Sequence, residues 1–322
     1  MAARESISCP CCQKNDLKTA GKRIDKFFID PRPFDIVLCE SCEVSFVSPR
    51  PREGHLINFY PDTYAFQEEA PSESFFSRFL KKLETFYRAQ GLNHDVCRLL
   101  KVTKLREGKC LEIGCGTGDR LIQLQQKRFQ VLGVEPAAAA CLYGKERYGL
   151  SIVEKKVEDW PGPDKPLDII LIFNVLEHLP HPVEELKRIA GWLKPGGMLA
   201  LQIPNAKCWQ ARWFGTRWAA MDAPRDLYYF SPSALGKAFE QAGLEIFKIE
   251  YGHHWMHPPT MVSSLFPSLD PALLWSQESR SSTAFKKIAW GLATLTAIPW
   301  GMIEKIFQAS PIMTLYARRG EL

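Results

Sequence analysis

Through the second two thirds of the chain, short apolar runs alternate with amphipathic stretches. The apolar runs predict the strands Lys109–Ile113, Gln130–Glu135, Ile152–Val153, Leu167–Phe173, Met198–Ile203, Leu244–Tyr251 and Ile312–Ala317. The amphipathic stretches repeat their apolar residues every three to four positions and predict the helices Asp119–Lys127, Ala137–Tyr148, Val183–Leu193 and 231–242. Alternating strands and helices predict an α/β fold, with a doubly wound, mostly parallel seven-stranded sheet that binds its ligand at the carboxyl ends of the strands.

The N-terminal region carries two C-x-x-C knuckles, Cys9-Pro10-Cys11-Cys12 and Cys39-Glu40-Ser41-Cys42, with 26 residues between them. Four thiolates from two tight turns form a closed tetrahedral site, so we predict a structural Zn²⁺ bound by Cys9, Cys12, Cys39 and Cys42. Cys11 is the cysteine left over, and competition with Cys12 for the metal is the alternative. The intervening segment is strand-like at 27–29 and 34–38, which suits a small ribbon that needs its metal to fold. The alternative is a redox pair beside unrelated cysteines.

Composition and charge change this picture little. The 41 Lys and Arg residues against 36 Asp and Glu give a net charge of +5 over 322 residues, which by itself does not argue for nucleic acid. In residues 1–52 the basic residues are mixed with acids and form no aromatic-basic stripe. The N-terminal stretch is short and polar, so no signal peptide is expected. Ten cysteines then fit thiols or metal ligands in the cytoplasm.

The stretch Leu111–Gly118 carries the candidate cofactor chemistry, because an apolar strand runs into glycines at positions 114, 116 and 118 and a helix follows. A dinucleotide fingerprint has its third glycine one residue later, to seat a pyrophosphate on the helix N-terminus. Here Glu112 precedes the glycines, and a carboxylate there repels phosphate. The motif predicts a ligand with a cationic end and no phosphate. S-adenosylmethionine, with a sulfonium, an ammonium, a ribose and an adenine, has this chemistry.

Polar residues follow the carboxyl ends of the other predicted strands. Glu135, 17 residues after Gly118, is expected to accept both ribose hydroxyls. Glu112 is expected to receive the methionine ammonium. The predicted cofactor-binding residues are Glu112, Gly114, Cys115, Gly116, Gly118, Glu135, Pro136, Glu158, Asp159, Asn174 and His178. Alternatives stay open: a charged surface turn for Glu158 and Asp159, the core for Cys115, and packing or capping for His178.

These motifs form a series: Leu111–Gly118, Val134–Pro136, Phe173–His178, Leu193–Gly197 and Ile203–Asn205. The series resembles the class I S-adenosylmethionine-dependent methyltransferases, in the bacterial branch of quinone and sugar methyltransferase-like proteins. The knuckles and the Val47–Pro51 stretch resemble a subgroup with an N-terminal zinc ribbon, which includes enzymes of unusual-sugar and cell-surface polysaccharide pathways. The resemblance covers residues 9–255. It implies a Rossmann-like methyltransferase sheet with an antiparallel last strand. It also implies S-adenosylmethionine as cofactor and O- or C-methylation of a small-molecule, sugar or glycan/lipid-linked precursor.

Residues 218–232 resemble the subgroup's D-x-P-R-H-L-x-x-F-S-P stretch, with Asp226 where the subgroup has histidine. Histidine is a base near neutral pH, whereas an aspartate needs burial or a like charge to raise its pKa. Asp226 is therefore expected to orient an acceptor hydroxyl, or to pair with Arg225 or another cation. The predicted catalytic residues are Asp226, His178 and Tyr229. Tyr60, Tyr64 and Tyr228 are further lid or base candidates, with aromatic packing as the alternative.

Roughly 60 residues separate the last two predicted strands, which is long for a loop. They include His253-His254-Trp255-Met256-His257, for which we favour a loop or acceptor-pocket role over a metal site. They also include Ile288–Ile303, a charge-free stretch that follows Lys286 and Lys287 and contains Pro299. This stretch is too short to span a bilayer and fits a helix lying on a membrane surface. Packing on the domain or against a dimer partner is the alternative.

The predicted domains are a zinc ribbon (1–52), a linker and helical lid (53–105, with a helix over 74–105), an S-adenosylmethionine-binding catalytic domain (106–255), a helical insertion (256–310) and a final strand (311–322). We expect a cytoplasmic methyltransferase, with peripheral contact to the inner face of the membrane through 286–304 as a further expectation. Two alternatives remain: a zinc-ribbon methyltransferase that binds nucleic acid, and a non-catalytic binding protein that keeps the cofactor fold.

Overall fold

The computed structural model describes residues 3–60, 90–252, 257–276 and 281–320. Its strands are, in chain order, β1 (Arg4–Glu5), β2 (Leu17–Arg23), β3 (Phe34–Cys39), β4 (Ser45–Val47), β5 (Arg50–Pro51), β6 (Gly108–Ile113), β7 (Phe129–Glu135), β8 (Ile152–Glu154), β9 (Leu167–Phe173), β10 (Leu193–Pro204), β11 (Tyr228–Tyr229), β12 (Leu244–Tyr251) and β13 (Ile312–Arg319). Its helices are α1 (Glu53–Leu56), α2 (90–103), α3 (Asp119–Gln126), α4 (Ala138–Tyr148), α5 (Pro182–Gly191), α6 (Trp209–Phe214), α7 (Pro232–Gln241), α8 (His257–Leu265), α9 (Pro271–Ser276) and α10 (Ser281–Ile306).

The central sheet has seven strands in the order β12-β13-β10-β9-β6-β7-β8. The strands from β10 to β8 run parallel, whereas β13 is antiparallel to both of its neighbours, β10 and β12. The predicted doubly wound, mostly parallel sheet is therefore confirmed. The strand order reverses between β6 and β9, which are adjacent in space but not along the chain. Ligands of doubly wound sheets bind in the crevice at such a reversal, outside the carboxyl ends of the strands.

Both faces of the sheet are covered, which explains why its middle strand is apolar. In β9 every residue of Ile169–Ile172 is buried. Successive side chains of a strand point to opposite faces. Ile170 and Ile172 accordingly share a core with Leu186 of α5. Ile169 and Leu171 share another core with Leu99 of α2 and with α3. The strand ends are thus held rigidly, and the loops that follow them are positioned by the core.

The N-terminal residues form an antiparallel sheet of four strands in the order β11-β4-β3-β2. The outer strand β11 comes from a distant part of the chain, since Tyr228 pairs with Phe46 and Tyr229 with Ser45. The ribbon and the catalytic fold therefore share a sheet.

One strand prediction in the ribbon is wrong. Residues 34–38 lie in β3 as predicted, but 27–29 form a turn. The Asp25 carboxylate closes that turn by accepting hydrogen bonds from the N–H groups of Phe27 and Ile29, at 3.1 and 3.0 Å. A short acidic side chain that bonds its own backbone two residues ahead favours a turn over a strand.

Two other predictions differ in extent. The helix predicted over 74–105 lies mostly outside the described residues, and its described part is α2. β10 begins at Leu193, before the predicted Met198, because 194–197 continue the extended chain and the pairing register with β9 shifts between those two residues.

The insertion before the last strand is helical. Its longest element, α10, has 26 residues with Pro299 inside, and it extends the predicted 288–303 segment at both ends. Within the described parts of the chain, no helix has the length and apolarity needed to cross a membrane. Of the predicted histidine cluster, 253–256 and the side chain of His257 lie outside the described residues.

Candidate active site

The turn after β6 has a backbone that glycines permit. Gly114, Gly116 and Gly118 have φ values of +67°, +54° and +80°, a region that other residues rarely adopt. A Cβ on Gly114 would lie 2.3 Å from Val175 Cγ2, and one on Gly118 would lie 2.3 Å from Leu150 Cδ1. A Cβ on Gly116 would meet nothing within 4 Å. The turn is therefore tightly packed at both ends and open at its centre.

Glu135, at the end of β7, is bound to the same turn. Its Oε2 accepts a hydrogen bond from the Gly116 N–H and its Oε1 accepts one from the Ala137 N–H, both at 2.9 Å. Each carboxylate oxygen has lone pairs for more than one donor. Both oxygens of Glu135 therefore keep the capacity to accept a hydroxyl, as a ribose diol requires.

Glu112, at the end of β6, is buried, and burial raises the pKa of its carboxyl group although Arg120 opposes that effect. Its Oε1 forms an ion pair with Arg120 of α3, and its Oε2 has no hydrogen-bond partner among the described residues. The Arg120 guanidinium lies over the Phe173 ring, 4.2 Å from the ring centroid. The Glu112 carboxylate can bind the ammonium group of an amino acid, and the neighbouring Arg120 guanidinium can bind its carboxylate. Arg120 was not predicted from the sequence, where its place in the first helical turn after the glycines was the available signal.

Asn174 directly follows β9, which pairs with β6 up to Ile172 and Ile113, so Asn174 and Glu112 lie at the carboxyl ends of neighbouring strands. Its φ is +53°, and its N–H donates to the Gln202 carbonyl oxygen at 2.9 Å. Its buried Oδ1 has no hydrogen-bond partner in the described part of the chain. An unsatisfied buried oxygen costs about 1–3 kcal/mol. Two such oxygens at the reversal of the strand order can accept hydrogen bonds from a polar ligand.

A 3₁₀ turn, Leu176–His178, brings His178 against Asp226. The distance from His178 Nδ1 is 3.0 Å to the Arg225 carbonyl oxygen and 3.2 Å to Asp226 Oδ1. When Nδ1 carries the ring proton, it donates to these oxygens and Nε2 is a proton acceptor. Burial lowers the pKa of His178, but Asp226 and Glu177 outweigh that effect and raise the pKa above its ordinary value. Burial also raises the pKa of Asp226.

Glu177 is a second residue at this site that was not predicted from the sequence. It is buried, its Oε2 has no hydrogen-bond partner in the described ranges, and burial raises its pKa to about 8. Burial thus favours the protonated form of its carboxyl group, whereas the nearby His178 favours the ionised form. The signal available in the sequence was the acid directly before a candidate histidine.

Two of the candidate tyrosines donate hydrogen bonds to main-chain carbonyl oxygens. Tyr229 is buried and its hydroxyl donates to the Asp226 carbonyl oxygen at 3.1 Å. The Tyr228 hydroxyl donates to the Pro180 carbonyl oxygen at 2.7 Å. The Tyr60 ring is edge-on to His178, with 6.3 Å between centroids, while Tyr64 lies outside the described residues. Burial raises the pKa of each phenol at 60, 228 and 229. This geometry favours positioning roles over base catalysis for the three.

Several other predicted cofactor residues lie at the surface. Pro136, Glu158 and Asp159 are exposed, the last two in a turn after β8. The Cys115 side chain is buried against Gly133, where an added Cβ would lie 2.5 Å from its Sγ. Cys115 thus contributes its backbone to the glycine turn and its side chain to the core.

The two cysteine knuckles have the same backbone form. In each, the N–H four residues after the first cysteine donates to that cysteine's carbonyl oxygen at 2.8 Å. The Sγ atoms of Cys9, Cys12, Cys39 and Cys42 all lie within 4.8 Å of one another. Tetrahedral Zn–S bonds of about 2.3 Å place sulfurs about 3.8 Å apart. The donor set therefore fits Zn²⁺, and Cys11 is buried without belonging to the group.

A family profile described as a methyltransferase domain matches residues 84–249, just over half of the chain. The chain therefore belongs to the methyltransferase domain family. It is similar to the ubiquinone biosynthesis O-methyltransferase of Nitrobacter winogradskyi, with 33% identity over 150 residues that cover 43% of this chain and 57% of that protein. It is also similar to the trans-aconitate 2-methyltransferase of Rhodopseudomonas palustris, with 30% identity over 97 residues that cover 29% and 38%. The chain thus spans less than two thirds of these relatives.

Two solved structures share the fold. The putative sarcosine dimethylglycine methyltransferase from Galdieria sulphuraria has a TM-score of 0.51 at 13% identity, covering 83% of this chain and 96% of that chain. Coclaurine N-methyltransferase, bound to N-methylheliamine and SAH, has a TM-score of 0.50 at 15% identity, covering 70% and 72%. At these identities the likeness establishes the methyltransferase fold.

Proposed function

We propose that this chain transfers the methyl group of S-adenosylmethionine to a small-molecule acceptor. The observation that carries the proposal is two buried oxygens at the ends of neighbouring strands, Glu112 Oε2 and Asn174 Oδ1, which have no hydrogen-bond partner among the described residues. The other oxygen of Glu112 pairs with Arg120. Membership of the methyltransferase domain family supports it. The names of the Nitrobacter and Rhodopseudomonas relatives support a small-molecule acceptor.

The donor is proposed to lie along the glycine turn. Glu112 and Arg120 bind the ammonium and carboxylate of its methionine part, and Glu135 accepts its ribose hydroxyls. The open space at Gly116 admits the ligand close to the backbone. When bound, S-adenosylmethionine supplies a methyl group that is already activated on a sulfonium. The remaining proposed contacts come from Gly114, Gly118, Pro136, Glu158, Asp159, Asn174, His178 and the backbone of Cys115.

The acceptor is proposed to lose its proton to His178. An acceptor hydroxyl, or an acidic C–H, gives its proton to Nε2 as its oxygen or carbon forms the new bond to the methyl carbon and the S–C bond breaks. The Asp226 carboxylate stabilises the imidazolium that results, and the Tyr229 hydroxyl holds the Asp226 main chain. Placement of the two reactants supplies much of the acceleration, since the donor needs no further activation.

A calorimetric titration with S-adenosylmethionine tests the donor site. Because Glu135→Gln removes charged acceptors of two hydroxyls, we expect its Kd to rise at least about tenfold. The matched control is Glu154→Gln, which alters an exposed carboxylate on β8, the strand paired with β7. A wild-type chain without affinity for the donor contradicts the proposal.

A labelled-donor screen of phenols, carboxylic acids and sugar derivatives tests the acceptor side. With an acceptor in hand, Asp226→Asn is expected to lower kcat roughly 100-fold and leave the donor Kd unchanged. Loss of the neighbouring negative charge lowers the pKa of His178. The acid limb of the pH–rate profile therefore moves to lower pH, and a limb that stays in place argues against His178 as the base.

We also propose that Cys9, Cys12, Cys39 and Cys42 hold a structural Zn²⁺. The support is the closeness of their four sulfurs. Metal analysis of the purified protein is expected to give one zinc per chain, and Cys39→Ser to lose it. Cys97→Ser is the control because Cys97 is exposed and lies on α2, away from the group. Metal retained by Cys39→Ser contradicts the assignment.

Finally, we propose that α10 lies on an anionic membrane surface. Its exposed apolar residues follow helical spacing along one face: Phe285, Ile288, Leu292, Leu295, Met302 and Ile306. At 1.5 Å per residue this face is about 31 Å long. Residues 281–306 contain three lysines and one acid, Glu304, which is buried. In a dimer formed through this face, the lysines of one copy would lie near the lysines of the other. The head groups of anionic lipids, by contrast, complement these lysines. This contact supports a glycan/lipid-linked precursor as the acceptor.

Flotation with vesicles distinguishes a membrane surface from a second copy as the partner of this face of α10. Wild-type protein is expected to float with phosphatidylglycerol-containing vesicles more than with phosphatidylcholine vesicles, and Leu292→Ser/Leu295→Ser is expected to remain at the bottom. Leu142→Ser is the control, since Leu142 is an exposed leucine on α4. Dimerisation without vesicle binding, lost in the double variant, would assign this face to a second copy.

A further inference from the structure

The segment that carries Asp226 is bound on two sides. The Leu227 carbonyl oxygen accepts a hydrogen bond from the Val47 N–H of the ribbon at 2.9 Å. The Leu227 N–H donates to the Glu177 carbonyl oxygen at 2.8 Å. Main-chain bonds therefore place this segment between the ribbon sheet and the 3₁₀ turn of His178.

Arg225 makes a second connection, through its side chain. The guanidinium is fully buried and donates to Asp25 Oδ1 at 2.8 Å, to both Asp222 oxygens at 2.6 and 3.0 Å, and to the Phe59 carbonyl oxygen at 2.9 Å. It also lies over the Phe27 ring, 4.6 Å from the centroid. Asp25 and Phe27 belong to the turn between β2 and β3. The guanidinium is thus anchored in the ribbon.

The charges around this guanidinium are balanced. Lys26 Nζ lies 3.0 Å from Asp222 Oδ2, so two cations face the carboxylates of Asp25 and Asp222. Removal of one member of a buried ionic cluster leaves an uncompensated charge, which is far costlier than the cluster itself. The cluster therefore fixes the distance between the ribbon and residues 222–226.

The main chain of Arg225 faces the candidate base. Its carbonyl oxygen lies 3.0 Å from His178 Nδ1, and the next residue is Asp226, whose carboxylate contacts the same nitrogen. One residue therefore contacts the ribbon with its side chain and His178 with its main chain. Any shift of the ribbon displaces both acceptors of the Nδ1 proton.

Arg50, where the chain leaves the ribbon, makes a third connection. Its guanidinium donates to the Tyr228 hydroxyl and to the Pro180 carbonyl oxygen, both at 2.8 Å. Pro180 follows His178 by two residues and Tyr228 follows Asp226 by two residues. Arg50 therefore joins the two segments that carry His178 and Asp226.

We propose that the ribbon is the positioning element of the acceptor side, and that Arg225 is the positioning residue that fixes His178 and Asp226. This inference rests on the proposed function. The donor side is built differently, because Glu112, Gly116 and Glu135 contact groups on α3, β7 and the start of α4. A Zn²⁺ held by the four-cysteine group would stabilise the ribbon's fold, and Asp25 and Arg50 connect the ribbon to the segments of Asp226 and His178.

The test compares holoprotein variants by two readouts that need neither donor nor acceptor. One is the titration of the His178 imidazole, followed by NMR of histidine-labelled protein and assigned with His178→Gln. The groups facing this ring are Glu177, Asp222, Asp226 and Tyr60, and every test variant keeps them. The other is amide hydrogen exchange of 222–229 compared with 111–118.

Arg225→Lys keeps the charge and loses the fork of donors, and Asp25→Asn is the milder variant if the lysine form does not fold. Both are expected to move the pKa of His178 toward its ordinary value and to speed exchange of 222–229 at least about tenfold. Where an acceptor is known, kcat falls at least about tenfold while the donor Kd stays within about twofold. Asp35→Asn, in an exposed ion pair of the ribbon with Lys22, is the matched control.

An unchanged His178 titration and unchanged exchange in folded Arg225→Lys and Asp25→Asn would overturn the inference. An equal loss at 111–118 and in donor affinity would also overturn it, since that pattern is general destabilisation. If no acceptor is ever methylated, the proposed function fails, and the imidazole titration and the exchange still decide whether the ribbon positions His178.

Discussion

At the scale of the residue, two glycines of one turn are expected to respond differently to the same substitution. Gly116→Ala puts a methyl group into open space at φ +54°, so its cost is the left-handed backbone, about 1 kcal/mol of unfolding free energy. Gly118→Ala adds overlap with buried Leu150, for a total of about 2–3 kcal/mol. Because Gly116 faces the proposed donor, its variant is expected to lose affinity well beyond its loss of stability.

Denaturant unfolding and donor calorimetry on both variants give these quantities. Equal loss of stability in the two would show that packing at Leu150 does not distinguish them. Unchanged donor affinity in Gly116→Ala would place the ligand elsewhere.

Individual site residues could be predicted from the sequence where they stand at a fixed spacing from a motif. Glu112 and Glu135 stand at fixed spacings from the glycines, and both lie at the predicted strand ends. Arg120 and Glu177 were missed because no spacing rule singles them out. The contact of His178 with Asp226 joins residues 48 positions apart and depends on how Arg225 is held. Such a contact is set by tertiary packing, which a local pattern does not encode.

At the scale of the element, apolar periodicity predicted the sheet well because burial dictates it. Leu167–Phe173 and Leu244–Tyr251 are strands with the predicted bounds. The failures have local causes: the Asp25 carboxylate closes a turn at 27–29, and a register shift lets β10 begin early. α10 continues through Pro299, which a propensity argument would place at a helix end.

The free energy of unfolding is expected to depend on pH through Glu304 of α10. This residue is buried, accepts hydrogen bonds from Gln210 Nε2 and Trp300 Nε1 at 3.1 Å each, and has its pKa raised by burial from 4.5 to about 7. Between these values the folded chain keeps a proton that the unfolded chain has lost, so stability falls as pH rises. The shift corresponds to at most about 3 kcal/mol.

Unfolding free energies at pH 5 and pH 8 measure this effect. Relative to wild type, Glu304→Gln is expected to gain up to about 3 kcal/mol between the two pH values, because an amide does not titrate there. Glu240→Gln, an exposed acid on α7, is the control. Parallel behaviour of Glu304→Gln and wild type would show that Glu304 is ionised in the folded chain at both pH values.

At the scale of the whole molecule, the ribbon is continuous with the catalytic fold. Cys9, Cys39 and Phe46 belong to the same core as Tyr228 and α7. The first knuckle is bonded to α7 through Gln241 and the second through Lys237. The domain boundary proposed at residue 52 therefore cuts a shared core and the sheet that joins β4 to β11.

A chain that begins at residue 53 is accordingly expected not to fold. Loss of residues 1–52 would expose Phe230, Leu235 and the edge of β11 that pairs with β4. Burying a large apolar side chain stabilises a fold by about 1.5–3 kcal/mol. Several such losses together reach the 5–15 kcal/mol range of a typical fold's total stability. Thermal unfolding followed by circular dichroism is expected to show one cooperative transition for the full chain and none for the shortened one. A shortened chain that unfolds cooperatively and binds S-adenosylmethionine like the full chain would show that the ribbon is an independent module.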